Sequence, residues 1–415
     1  MERRVVITGL GAVTPIGNDV GAFWKNVKAG VCGIDFVTKT DVSNFRIKVA
    51  AEIRDFNDER YIEPKEAKRM AWFSRYAVVA ALQALADSGL GPERIRENYR
   101  VGVIVGSGIG AMRVIEENVI KFHEKGMARI SLLYIPTAIV NMAAGNVALK
   151  LGAKGPCTSI VTACATGANC IGEAFRYVKH GYADIMFAGG SEGAITPSAL
   201  GGFGALRALS ESKDPKRASI PFDKDRDGFV LGEGAACVTL ESLEGAKARN
   251  AKIYAEIVGY GSTCDAYHIT APEESGESAS VAMEMALEEA GISKSDVGYI
   301  NAHGTSTELN DLAETKAIKL VFGDEAAKKI PVSSLKSMTG HLLGAAGAAE
   351  AISTALTLKE GFVPPTAGLI TPGEGCDLDY VPGKGRQEPN MKYALSNSFG
   401  FGGHNAVLCL KKWEG

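Results

Sequence analysis

Short apolar runs alternate with longer stretches of helical period along this chain. Residues 4–8, 101–106 and 185–189 read as short buried strands, because nothing in them alternates between apolar and polar, and 253–259, 394–398 and 407–410 read as further strands. Residues 229–240 read the same way, and a further strand begins at Tyr299 and runs out into a loop. Helical spacing appears at 20–28 and 278–290, the latter stopped by Gly291. Residues 65–88 place Met70, Phe73, Ala77, Ala81, Leu82 and Leu85 on one face. That predicts one long helix whose first turn carries Lys65, Lys68 and Arg69. Strands alternating with helices imply an α/β fold with parallel-rich sheets covered by helices.

Two stretches echo each other. Val161 to Phe175 reads as a sharp turn feeding a helix of small residues, with Cys164 at the helix start. Ser333 to His341 enters a second helix of Gly and Ala over residues 342–358. The echo suggests an internal duplication, with halves near 1–250 and 251–415.

Composition narrows the function classes. With 46% apolar and 22% charged residues, the 415-residue chain has material for a large core. A net charge of −3, from 45 basic and 48 acidic residues, gives no global attraction to nucleic acid or an anionic membrane. The eight cysteines, at 32, 157, 164, 170, 237, 264, 376 and 409, form no Cys-x-x-Cys pair. Scattered in a chain this large, they predict reduced thiols and a cytoplasmic protein. The apolar start is interrupted by Gly9, Gly11 and Pro15, unlike a signal peptide, and no run of about 20 apolar residues occurs.

Two loops mimic ligand motifs and fail on detail. Gly106-Ser-Gly108-Ile-Gly110 follows a strand, but its third glycine is misplaced for a dinucleotide loop. Asp223-Lys-Asp225-Arg-Asp227-Gly228 resembles a calcium loop, yet its twelfth position is Gly234 and the glutamate comes one early, at Glu233.

The candidate chemistry gathers where α/β folds place their sites, at strand ends and helix starts. Cys164 lies at such a point, where unpaired N–H groups and the helix dipole favour a thiolate. His303, in Asn301-Ala-His-Gly-Thr-Ser-Thr307, and His341, in Lys336-Ser-Met-Thr-Gly-His, lie at two others. A zinc site of these three is opposed by Lys336 and by the absence of a short ligand spacing. Three unrelated core residues is a second reading. Covalent acyl transfer is the third, with Cys164 as nucleophile and the imidazoles as donors to an oxyanion.

Thr162-Ala-Cys164-Ala-Thr-Gly, Asn301-Ala-His303-Gly-Thr-Ser-Thr307, Lys336-Ser-Met-Thr-Gly-His341 and Gly400-Phe401-Gly-Gly403 occur in that order, and with them the whole chain resembles the β-ketoacyl-[acyl-carrier-protein] synthases of the thiolase superfamily. The resemblance implies a duplicated five-layered α-β-α-β-α fold and a homodimer. It also implies acyl- and malonyl-loaded acyl-carrier protein as substrates, and a decarboxylative Claisen condensation that lengthens an acyl chain by two carbons. Cys164 would carry the acyl group, and His303 and His341 would hold the enolate. Lys336 would orient them, with Glu314 as its partner. Phe401 would gate the pocket and share the oxyanion hole with the Cys164 N–H.

Thr270, Thr305 and Thr307 match positions that hold the pantetheine arm; Ile109 and Phe203 match the acyl-pocket wall. No cofactor is required, but Asn301, Glu350, Ser396 and Asn397 match a buried site for Na+ or K+. Lys65, Lys68, Arg69 and Arg207 are the basic residues expected to meet the acidic carrier protein. His404 takes no catalytic role. A degradative thiolase would need a second cysteine where Phe401-Gly-Gly-His404 stands, and a chain-length factor would lack Cys164. A polyketide ketosynthase subunit would keep every one of these residues and remains the alternative.

Overall fold

The computed structural model describes residues 2–415. Ten strands build its main sheet: β1 (Val5–Val13), β2 (Val101–Gly106), β3 (Cys157–Thr158), β4 (Ile185–Glu192), β5 (Gly234–Ser242), β6 (Ala255–Cys264), β7 (Val297–Asn301), β8 (Val332–Ser333), β9 (Tyr393–Gly400) and β10 (His404–Lys412). Their spatial order is β8-β7-β9-β10-β6-β1-β5-β4-β2-β3. Reading each set of five in chain order gives the same arrangement, third-second-fourth-fifth-first, in both. In both, the fifth strand runs antiparallel to its two neighbours and the other contacts are parallel. The two sets meet where Val5, Val6 and Ile7 of β1 pair with Ile257, Glu256 and Ala255 of β6. The sheets are therefore mixed rather than wholly parallel.

Helices complete the layers. Outer helices α1 (Trp72–Ser88) and α3 (Glu277–Ala290) pack on β1 and β6, while α2 (Thr166–Lys179) and α4 (Ala346–Glu360) pack on each other between the two sets of strands. This is the five-layered α-β-α-β-α order expected from the resemblance. The central layer is possible because the helices cross on glycine. A Cβ on Gly167 would sit 2.7 Å from the Ala348 nitrogen, and one on Gly347 would sit 2.7 Å from the Ala168 nitrogen. Both helices are buried almost throughout, so their small residues serve close approach rather than flexibility.

Several sequence expectations shift. The strand expected at 4–8 runs on to Val13 and takes in Gly9 and Gly11, because α1 presses its backbone onto them: their missing Cβ atoms would fall about 2 Å from the Ala84 and Ala80 carbonyls. Gly259 and Gly261 of β6 meet the Ala286 and Ala282 carbonyls of α3 in the same way. The expected helix over 65–88 is two elements. Pro64–Ala67 makes one turn, Ala71 is extended at φ −70° and ψ 161°, and α1 starts at Trp72. The strand expected at 229–240 begins only at Gly234; Phe229 and Leu231 make isolated bridges to Leu209 and His341. The helix expected to follow His341 starts at Ala346, after a 3-10 turn over Leu343–Ala345.

Candidate active site

Cys164 sits between β3 and α2, in the 3-10 turn Ala163–Ala165 that leads into the helix. Ala163 holds a left-handed φ of 50°, a conformation that costs a residue with a Cβ and is kept here by the surrounding packing. The thiol is buried and receives the Phe401 N–H. Burial pushes the thiol up to about 12, and Glu192 adds to that; Lys336 and the Phe401 N–H act the other way without overcoming it. The helix-start argument thus loses to desolvation, and the resting group is a neutral thiol. All eight cysteines are free.

Both histidines enter the same cavity. His303 follows β7 and His341 precedes the turn into α4; their rings lie 5.4 Å apart at 82°. Each is buried, and burial together with the Lys336 charge depresses its basicity well below that of free histidine, so each is neutral. Their tautomers follow from their partners. His341 Nδ1 accepts the Leu343 N–H at 3.2 Å, and His303 Nδ1 lies 3.3 Å from Lys336 Nζ. A neutral ring whose Nδ1 is an acceptor carries its proton on Nε2. Two Nε2–H donors therefore stand beside one buried thiol.

Lys336 is 1% exposed, and its partner differs from the sequence expectation. Its ammonium donates to the His303 carbonyl at 2.6 Å and to Glu350 Oε1 at 2.5 Å. Glu314 instead accepts the N–H groups of His303 and Gly304, both at 2.8 Å, and the Asn397 amide at 3.1 Å. Burial raises its carboxyl to about 7. So Glu314 fixes the histidine loop through its backbone, while Glu350 neutralises the lysine.

Thr270, Thr305, Thr307, Phe203 and Phe401 line the cavity with Cys164, His303 and His341. Thr305 and Thr307 join hydroxyls at 2.8 Å, and the Phe203 ring lies 6.3 Å from that of Phe401. Ile109 packs into the apolar cluster of Cys164, Phe203 and Leu343 behind that lining. Arg207 is exposed in an adjoining hollow that shares Thr270, Thr307 and Phe401. Lys65, Lys68 and Arg69 are also exposed, but they lie on the one-turn helix and the turn after it, and they border neither hollow. The sequence reading missed Asn405 and Asp265, which line the cavity and bond to each other at 2.6 Å. The glycine-rich loop ending at Gly403 was the available signal, since Asn405 lies two residues beyond it.

Behind the site, Asn301 Oδ1, Asn397 Oδ1, Glu350 Oε2 and Ser396 Oγ are buried oxygens without a hydrogen-bond partner. Buried polar atoms are nearly always satisfied, so four unsatisfied oxygens on these residues fit a hard, oxygen-bound alkali cation. Among the described residues no cluster of three or more His, Cys, Asp or Glu side chains is placed to hold a metal.

Comparisons with known proteins give the family of the chain. The family Beta-ketoacyl synthase, N-terminal domain, matches residues 2–246, and Beta-ketoacyl synthase, C-terminal domain, matches residues 254–369. The chain is 54% identical over 415 residues to 3-oxoacyl-[acyl-carrier-protein] synthase 2 of Staphylococcus aureus (strain COL), covering 100% of this chain and 99% of that one. It is 50% identical over 414 residues to the protein of the same name from Synechocystis, again covering 100% and 99%. Among solved structures, a type II PKS acyl-carrier protein in complex with its ketosynthase superposes with a TM-score of 0.92 at 38% identity, covering all of both chains. A beta-ketoacyl synthase from Burkholderia phymatum superposes with a TM-score of 0.92 at 36% identity, covering 99% and 100%.

Proposed function

The chain belongs to the β-ketoacyl synthase family, and from that premise we propose that it is a 3-oxoacyl-[acyl-carrier-protein] synthase, an acyltransferase that extends acyl chains by decarboxylative condensation. The observation that carries the reading is the pair of neutral imidazoles, each with Nε2–H free to donate, beside a buried thiol.

The first half-reaction is thioester exchange. Cys164 Sγ attacks the acyl thioester on carrier protein, the carbonyl becomes an oxyanion held by the Cys164 and Phe401 N–H groups, and the pantetheine thiolate leaves and takes the thiol proton. Malonyl-carrier protein then replaces it. Its carboxylate C–C bond breaks, carbon dioxide departs, and the electron pair forms an enolate whose oxygen accepts from His303 and His341. No strong base is needed, because loss of carbon dioxide generates the carbanion equivalent. The enolate carbon attacks the Cys164 thioester, and the thiolate leaves and is reprotonated. Lys336, neutralised by Glu350, keeps His303 Nδ1 an acceptor throughout. Thr305 and Thr307, which line the cavity, hold the pantetheine arm in this reading. No cofactor takes part. A Na+ or K+ ion held by Asn301, Glu350, Ser396 and Asn397 would brace the floor of the site electrostatically.

The carrier protein docks, in this reading, at the hollow beside Arg207, with Lys65, Lys68 and Arg69 as a second basic patch. A homodimer is supported by an uncovered surface. Val119, Ile120 and Phe122 are exposed on the helix Met112–Lys125, Leu132 and Ile135 follow it, and β3 is an exposed edge strand. A second copy covering this surface would protect both. No helix among the described residues is long and apolar enough to cross a membrane, and eight free thiols suit the cytoplasm.

A polyketide reading is favoured by one observation, the superposition at 38% identity on a type II PKS ketosynthase; the 54% identity to a 3-oxoacyl synthase favours fatty-acid elongation. Purified protein given saturated acyl-carrier proteins of graded length and malonyl-carrier protein should acylate Cys164 and release the two-carbon-longer 3-oxoacyl product. Acylation confined to another cysteine, or no elongation at any length, rejects the reading.

A further inference from the structure

We propose that Glu192 is a positioning residue that pins the acyl-pocket wall at Ile109 to the turn carrying His341, so that the acyl pocket and the enolate site hold one shape together. This rests on the reading of Cys164 and His341 given above.

Glu192 ends β4 and is wholly buried. Its Oε1 accepts from Ser107 Oγ at 2.8 Å and the Ile109 N–H at 3.3 Å; its Oε2 accepts from the Gly108 N–H at 2.8 Å and the Gly344 N–H at 3.1 Å. Ser107 Oγ in turn receives the Gly110 N–H at 2.9 Å. Each carboxylate oxygen thus meets two donors, and no ion pair among the described residues involves it. These four donors suit the acceptor-only carboxylate and oppose the burial that raises its pKa above the ordinary range. The strand end Gly189-Gly190-Ser191-Glu192 and the loop Gly106-Ser-Gly108-Ile-Gly110, whose third glycine is misplaced for a dinucleotide, acquire a shared purpose here. The loop's amides cradle a carboxylate of the protein itself.

The three segments have no slack. A Cβ on Gly190 would fall 2.0 Å from the Gly344 carbonyl, and one on Gly344 would fall 2.4 Å from the Gly108 nitrogen. What Glu192 holds on one side is Ile109, which packs on the apolar cluster that includes Cys164 and Leu343, as Phe203 does. On the other it holds the peptide between Leu343 and Gly344. Leu343 has a left-handed φ of 47°, and its N–H is the one that fixes His341 Nδ1. A leucine keeps that conformation only where its surroundings impose it. Releasing the Gly344 N–H lets the turn relax, and the His341 orientation relaxes with it.

Glu192→Gln tests this. The amide keeps the shape but turns N–H groups towards converging donors, so at least one contact on that oxygen is lost. Unprimed release of carbon dioxide from malonyl-carrier protein should fall on the order of 10- to 100-fold in kcat, as misplacement of a reacting group does, with KM near the parent value. Cys164 acylation by six-carbon against fourteen-carbon acyl-carrier protein should change its kcat/KM ratio about fivefold or more, a loss of pocket shape worth about 1 kcal/mol of discrimination. Parental kcat with a parental ratio overturns the proposal. So does an equal loss at both lengths with raised KM, which marks general loosening. Should Glu192→Gln not fold, Ser107→Ala removes one donor and frees the Gly110 N–H; it should shift the chain-length ratio more than decarboxylation, and an unshifted ratio overturns the proposal. A parent protein that neither acylates nor decarboxylates would instead reject the underlying functional reading.

Discussion

Removing Glu350 should strand the Lys336 ammonium. That ammonium is 1% exposed, with Glu350 Oε1 at 2.5 Å as its one charged partner and the His303 carbonyl as its other close acceptor. Glu350→Ala therefore leaves a buried charge without compensation, which costs about 3–5 kcal/mol. At ordinary per-residue values a chain of 415 residues unfolds with an entropy near ~0.9 kcal/mol/K, so the melting temperature should fall by about 3–6 °C. Adding Lys336→Met removes the stranded charge and fills its volume with an apolar chain. The double variant should recover most of the loss, since replacing a buried pair by apolar groups is often neutral or stabilising. Activity should not recover with it, because His303 Nδ1 then has no fixed neighbour. Scanning calorimetry of the parent, both single variants and the double, with carbon dioxide release measured on each, completes the cycle. A double variant less stable than Glu350→Ala alone would refute the ion-pair argument.

Two further outcomes follow from the same structure. Because burial pushes the Cys164 thiol up to about 12, its thiolate fraction still grows tenfold per pH unit through the alkaline range; iodoacetamide labelling should keep rising to pH 10, and a plateau below pH 9 would show that the helix start governs after all. Gly347→Ala would place a Cβ 2.7 Å from the Ala168 nitrogen, where neither helix backbone can yield cheaply, so thermal unfolding should report a loss of about 1–3 kcal/mol, and an unchanged melting temperature would contradict the glycine crossing.

Much of this was legible in the sequence because strands such as Val101–Gly106 and the start of Ile185–Glu192 are buried on both faces and appear as apolar runs, whereas the two-residue strands β3 and β8 carry no such signal. The duplication showed in the echo between the Cys164 and His341 stretches, though the structural counterpart of Cys164 is Gly344, each following a left-handed residue, Ala163 or Leu343. Pairings across long sequence distances were not legible. Lys336 has several carboxylates within plausible reach along the chain, and only the crossing of α4 beneath it selects Glu350 over Glu314. The run at 65–69 looked continuous with the helix because Met70 falls on the same apolar face as Phe73 and Ala77, whereas the chain breaks at Ala71 and a new helix starts there, with Phe73 buried and Trp72 exposed. Likewise the thiolate expectation used the helix start alone and could not weigh the desolvation that the fold imposes on Cys164.

The division of labour between thiol and imidazoles is the centre of this account, and one measurement addresses it. Carboxyl-labelled malonyl-carrier protein, with no acyl primer, is given to the Cys164→Ala, His303→Ala and His341→Ala variants, and labelled carbon dioxide is counted. Cys164→Ala should release it without any condensation product. Each histidine variant should release it on the order of a hundred- to a thousand-fold more slowly, the usual loss for one oxyanion donor. Release at the parent rate from both histidine variants would contradict the account, because the enolate would then need neither imidazole.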